Sequence, residues 1–256
     1  MAITNCPKCG APISPDDVVC PVCGSRLRVE FLERVLPLLR PVEKEQFKPL
    51  TIREMIFYIF TYPGLVFQDY AITFRSSIPF MFLFLNVFLD GLLFLSLSTF
   101  VIGFSDIFLW SFISSMISVI IGDLLVFIIA YIFYSLLLYV ITRIFTDKSK
   151  FSRSFAILLM STAPFLIHKI IAILLIFIIP PVPASVPIVA FPDLVTLYFN
   201  SQAYAIAHLL EYVFAIWVTL LIGVGVREIY DLPINTSIFI AFVTVLLIYL
   251  SRLLVI

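Results

Sequence analysis

The chain has 256 residues, 62% of them hydrophobic and only 12% charged, with 16 basic side chains against 16 acidic ones. A soluble domain carries about 25% charged residues, so this composition excludes a soluble globular protein and points to one solvated by lipid. Eight of the 16 Lys and Arg, and all four cysteines, lie before residue 54, which concentrates the polar chemistry ahead of the apolar runs.

Met1 leads directly into a cysteine knuckle rather than an apolar run, so no signal peptide is expected. The first module is therefore expected in the cytosol, a reducing compartment where paired cysteines bind metal more often than they form disulfides. It reads Cys6-Pro-Lys-Cys9-Gly, ten residues, then Cys20-Pro-Val-Cys23-Gly. Each CxxC turn brings two thiolates to one ion, and the glycine after it permits positive φ. Four thiolates make a closed tetrahedral site with no open position for a substrate. One structural zinc per chain, on Cys6, Cys9, Cys20 and Cys23, is the expected cofactor, with iron or disulfides as the alternatives. Lys8, Arg26 and Arg28 are placed to offset the negative charge of four thiolates. So small a module cannot bury enough apolar surface to fold without its metal.

Residues 1–27 are thus read as a zinc ribbon and 28–77 as a juxtamembrane linker with interfacial helices. The remainder, 78–256, is read as a five-span membrane domain. Within the linker, Leu27, Phe31, Val35 and Leu32, Leu36, Leu39 recur at helical spacing, before prolines 37, 41 and 49. A helix is expected to start at Thr51, with Glu54 completing a capping box, and to stop at Tyr62-Pro63-Gly64. A second runs over 65–75. Both are too short and too polar to span, so they are expected at the membrane interface or packed beneath the spans.

A span needs about 20 apolar residues. The five are expected at 78–102, 121–141, 155–179, 203–226 and 238–255. The second lies inside a run, 107–145, that as one helix would reach roughly 58 Å, too long for a bilayer. Arg143, Lys148, Lys150 and Arg153 crowd the loop before span three, and Arg227 follows span four. The proline-rich segment 180–202 has no basic residue. By the positive-inside rule the N-terminus and basic loops are cytosolic, and the proline-rich segment and C-terminus are outside.

Ionisable residues inside spans cost roughly 2.5–3.5 kcal/mol each at mid-bilayer, so they face a partner or water. Counted from the cytosolic ends, Asp90 lies about 18 Å deep, His168 and Lys169 about 21–23 Å, and Glu211 about 22 Å. His208 and Asp123 lie further out, at about 27–30 Å. Lys169 is the cation of this set, with Asp90 and Glu211 as candidate counter-ions, and His208 and Glu211 share a helix face at i, i+3. Three readings stand: a buried latch that fixes span packing, a proton or ion path, or a metal site from His208, Glu211 and His168. No nucleophile–base arrangement and no phosphate-binding glycine loop is visible, so no enzyme is expected.

Three stretches carry a family resemblance. They are Tyr62-Pro63-Gly64-Leu65-Val66-Phe67, then Phe151-Ser152-Arg153-Ser154-Phe155-Ala156 with Ser161-Thr162-Ala163-Pro164, and Trp217-Val218-Thr219-Leu220-Leu221-Ile222-Gly223 leading to Leu232-Pro233. In order and spacing, over about residues 60–256, they resemble the Yip-domain family of five-span membrane proteins. The resemblance implies a cytosolic N-terminus and an outer C-terminus. It also implies the trafficking and membrane-shaping roles, with small-GTPase binding, of the family's eukaryotic members. The cysteine module departs from those trafficking members.

The fold class read from the chain is an all-α polytopic membrane protein with five transmembrane helices and a small N-terminal zinc-ribbon module. The expected function is a non-enzymatic membrane scaffold or organiser that meets a cytosolic protein partner through the zinc module. The alternative is a small transporter or ion or proton channel using Asp90, Lys169, His208 and Glu211. The bilayer is the first expected partner; homo- or hetero-oligomers fit the reading, and nucleic acid is not an expected partner.

Overall fold

A computed structural model of the chain describes residues 5–6, 9–13, 20, 22–23, 49–75, 77–98, 106–178 and 196–253, with some side chains between 98 and 123 and those after 250 outside the description. The chain divides into two compact units, Met1–Gln46 and Phe47–Ile256. The helix expected over 27–39 and the linker around 43–45 lie outside the described residues, as does most of the proline-rich segment.

The second unit is all helix among its described residues. In chain order the helices are α1 (Ile52–Thr61), α2 (Pro63–Thr73), α3 (Ser77–Ser98), α4 (Asp106–Phe145), α5 (Phe151–Ser161), α6 (Ala163–Ile178), α7 (Gln202–Tyr230) and α8 (Ile234–Leu253). Four stretches are long and apolar enough to cross a membrane: Ser77–Leu97, Leu124–Phe145, Phe151–Ile178 and Gln202–Tyr230. The fifth, Ile234–Leu250, is apolar but shorter. The molecule is an integral multi-pass membrane protein.

Helix α1 begins as its sequence dictates. The Thr51 hydroxyl accepts from the Glu54 N–H (3.3 Å) and the Glu54 carboxylate accepts from the Thr51 N–H (2.8 Å), satisfying two of the donors a helix start leaves open. Pro63 then starts α2 where its missing N–H costs nothing. Pro63, Gly64, Val66, Phe67, Gln68, Asp69 and Tyr70 are all buried, so α2 is packed against the spans over most of its surface. Asp69 is used internally, since its Oδ1 accepts from the Leu50 N–H at 3.1 Å. Helix α1 keeps an exposed apolar edge at Ile52, Ile56 and Phe57, and α2 exposes Ile72 near its end.

Helix α7 is the hub, packing against α2, α5, α6 and α8. Small residues allow it. A Cβ on Gly225 would stand 2.9 Å from both Ile157 Cγ2 and Phe67 Cε1, so only glycine lets α5 and α2 come this close. The expected third span is two helices. Pro164 has no N–H to donate into the preceding turn, and the chain breaks at Thr162 between α5 and α6. The Thr162 hydroxyl donates to the Leu159 carbonyl (2.6 Å), and Asn86 Nδ2 of α3 donates to that hydroxyl (3.0 Å). This span starts at Phe151, earlier than expected, and the second span is the last part of an unbroken 40-residue helix.

One end of the unit gathers the basic residues. Lys148 meets Asp231 in the α7–α8 turn at 3.3 Å, the Tyr230 hydroxyl donates to the Lys150 carbonyl at 3.2 Å, and Arg153 stands over the Phe74 ring at 5.0 Å. Helices α1 and α2 lie toward this same end, because Phe60 packs on Trp217 and Phe67 on Gly225.

Candidate functional site

In the first unit the four cysteine sulfurs lie within 4.8 Å of one another, with Cys6 to Cys23 and Cys9 to Cys20 both at 3.7 Å. A zinc ion with Zn–S bonds of about 2.3 Å in a tetrahedron sets sulfurs roughly 3.8 Å apart, so the residues present fit the metal. The knuckle closes through Gly10, at φ +72°, whose N–H donates to the Cys6 carbonyl at 2.9 Å, while the Cys6 N–H donates to the Ala11 carbonyl at 2.8 Å. Among the described residues these cysteines are the one group of three or more potential ligands within reach of a common ion. Bound there, zinc would supply a structural cross-link and no reactive position.

In the membrane unit, adjacent residues of α6 point about 100° apart around the helix and so serve different neighbours. Lys169 reaches α3, with Nζ 2.6 Å from Asp90 Oδ2 and 3.0 Å from the Asn86 carbonyl oxygen. The Phe127 ring of α4 stands 5.4 Å from the same ammonium. Thus Asp90, of the two candidate counter-ions, holds Lys169. His168 turns the other way, and its Nε2 lies 2.8 Å from the Ala207 carbonyl of α7. A carbonyl only accepts, so Nε2 carries the hydrogen. This pair of residues therefore ties α6 to α3 on one side and to α7 on the other.

His208 and Glu211 do not join that contact. They form a set along α7 itself: His208 Nδ1 is 3.2 Å from Glu211 Oε2, its Nε2 is 3.3 Å from the Tyr212 hydroxyl, and Tyr204 stacks on its ring. The metal site expected from His208, Glu211 and His168 is not assembled, because among the described residues these three do not bring ligand atoms within reach of a common ion. The Asp123 side chain lies outside the described residues. Asn86 has no signal of its own in the sequence, although it stands one helical turn before Asp90, and Thr162 enters there only within the stretch Ser161-Thr162-Ala163-Pro164.

Both sets face one cavity of about 1210 Å³, walled by α3, α4, α6, α7 and α8 with Leu158 of α5. Asp90, Lys169, His168, His208 and Glu211 form a polar belt on its wall. The rest is aliphatic and aromatic, with tyrosines 131, 134, 198, 204 and 249 among the lining. Helix α4 packs into the bundle only over part of its length. Every buried side chain described on α4 lies between 135 and 142, where Ser135, Leu138 and Thr142 pack inward.

Residues 57–255 match the family described as the Yip1 domain, and residues 2–27 match a zinc-ribbon domain. No curated protein and no solved structure gives a match.

Proposed function

The chain belongs to the Yip1 domain family, and from that premise we propose that it is a non-enzymatic organiser of its membrane. In this reading the helical unit is an anchor and the zinc ribbon is the part that meets a cytosolic protein partner, in trafficking or in shaping of the membrane. Each chain holds one zinc on its four cysteines. The N-terminus and the basic end of the helical unit face the cytosol, and the C-terminus lies outside.

The observation that carries the reading is the commitment of Lys169. An ammonium already shared by Asp90 and the Asn86 carbonyl fixes how α3 and α6 pack, which suits a scaffold. A permeation path asks for charge that exchanges partners freely. The second reading, a small transporter or channel, draws its support from the cavity on which the same residues lie.

One comparison separates them. Affinity capture from native membranes, with the intact chain and with Cys6→Ser plus Cys9→Ser, is expected to retain a cytosolic protein only with the intact ribbon. Proteoliposomes of the same preparation are expected to show no proton or ion flux above empty vesicles. Flux that disappears in Lys169→Met would favour the second reading instead.

A further inference from the structure

We propose that the 1210 Å³ cavity is a binding site for one membrane lipid, with its chains in the apolar part and a head of no net negative charge at Asp90, Lys169 and Glu211. The volume exceeds the ~300–1,000 Å³ of small-molecule sites. Its walls come from helices that meet the bilayer on their other faces. Water is a poor occupant, because it needs two to four polar partners per molecule and most of this wall offers none. Left empty, the lining would forfeit dispersion contacts all along its length. An amphiphile with a long apolar part and one polar end matches a wall that is mostly apolar and carries its ionisable groups on Asp90, His168, Lys169, His208 and Glu211.

Access supports the same occupant. Between residues 124 and 134 no described side chain of α4 is buried. Val126, Phe127, Ile129, Ala130 and Phe133 line the cavity, while Leu125 and Ile132 are exposed away from its lining. This stretch therefore meets the cavity on one side and the surrounding lipid on the other. The bilayer that surrounds α4 is therefore the source of the ligand.

The belt's charge selects the head. The lining carries two carboxylates, Asp90 and Glu211, and one ammonium, Lys169, which is engaged by Asp90 and Asn86. Even with one of His168 and His208 protonated, the wall carries no net positive charge. A head with a net negative charge would add an uncompensated charge in a low-dielectric site, whereas a zwitterionic or uncharged head would not.

The test is lipid retention. The full chain, reconstituted in equal parts of phosphatidylethanolamine and phosphatidylglycerol, is re-extracted in mild detergent and weighed by native mass spectrometry. One lipid per chain is expected, with phosphatidylethanolamine favoured by roughly tenfold or more, the factor that 1.4 kcal/mol confers. Ala130→Trp, which places a large ring in the cavity, is expected to lose that lipid while its melting temperature shows it folded. Should Ala130→Trp fail to fold, the wild-type stoichiometry and ratio decide alone. No retained lipid, equal retention of phosphatidylglycerol, or unchanged retention in a folded Ala130→Trp would overturn the proposal.

Discussion

Phe67 of α2 occupies the space in which a Cβ on Gly225 of α7 would stand, 2.9 Å from the ring. The two residues set the distance between the buried N-terminal helix and the hub of the spans. Two glycines one turn-half apart on α7 consequently behave differently. At Gly223 a Cβ would meet chiefly the Ile238 Cδ1 atom, the far end of a side chain that can turn away.

Gly225→Ala is therefore expected to destabilise the membrane unit by about 1–3 kcal/mol, the usual cost of overpacking. Gly223→Ala is expected to be near neutral, since the gain of up to ~1 kcal/mol in helix propensity offsets a rotamer change at Ile238. Thermal unfolding of both variants in detergent checks the contrast. Equal losses would mean that α2 does not bear on Gly225 as described.

The zinc ribbon yields a second expectation. Metal analysis of purified protein should give about one zinc per chain, lost in Cys6→Ser plus Cys9→Ser. Thiolates are the ligands, so acid should release the ion as protons compete for sulfur. A Cys6–Cys23 disulfide in freshly prepared protein would contradict the assignment.

Topology supplies a third. Lys148 is exposed beside Asp231 at the basic end of the helical unit, whereas Ser149 is buried against Thr142 and would resist labelling whatever its side. Lys148→Cys is expected to stay unlabelled by an impermeant thiol reagent outside intact cells, and Ser185→Cys to react. The opposite pattern would reverse the orientation.

What was legible in the sequence follows from how local each signal is. The cysteine cluster needs only residues 6–23, and the sequence spacing alone brings its sulfurs together. The spans show in composition, whereas the break at Thr162 was not expected, although Pro164 two residues on is the residue that lacks an N–H for an unbroken helix. The partner of Lys169 was not legible, because Asp90 and Glu211 lie at similar depth and depth carries no information on which helices touch. Burial of α2 was hidden by Gln68 and Asp69, which read as polar surface until Leu50 is seen to donate to Asp69. The cavity has no sequence signal, since its lining is drawn from helices far apart in the chain.

If Lys169 and Asp90 latch α6 to α3, a double-mutant cycle on the pair will show it. Thermal stability in detergent is measured for Lys169→Met, Asp90→Asn and the double variant. Lys169→Met alone strands a carboxylate on a largely buried wall, so it should cost more than the double replacement. The expected coupling is about 1–2 kcal/mol, below the range for fully buried pairs because the Asp90 side chain remains 34% exposed. Losses that add within about 0.5 kcal/mol would show that the two residues act independently. The latch would then be wrong, and Lys169 would be better understood as a hydrated residue in a permeation path.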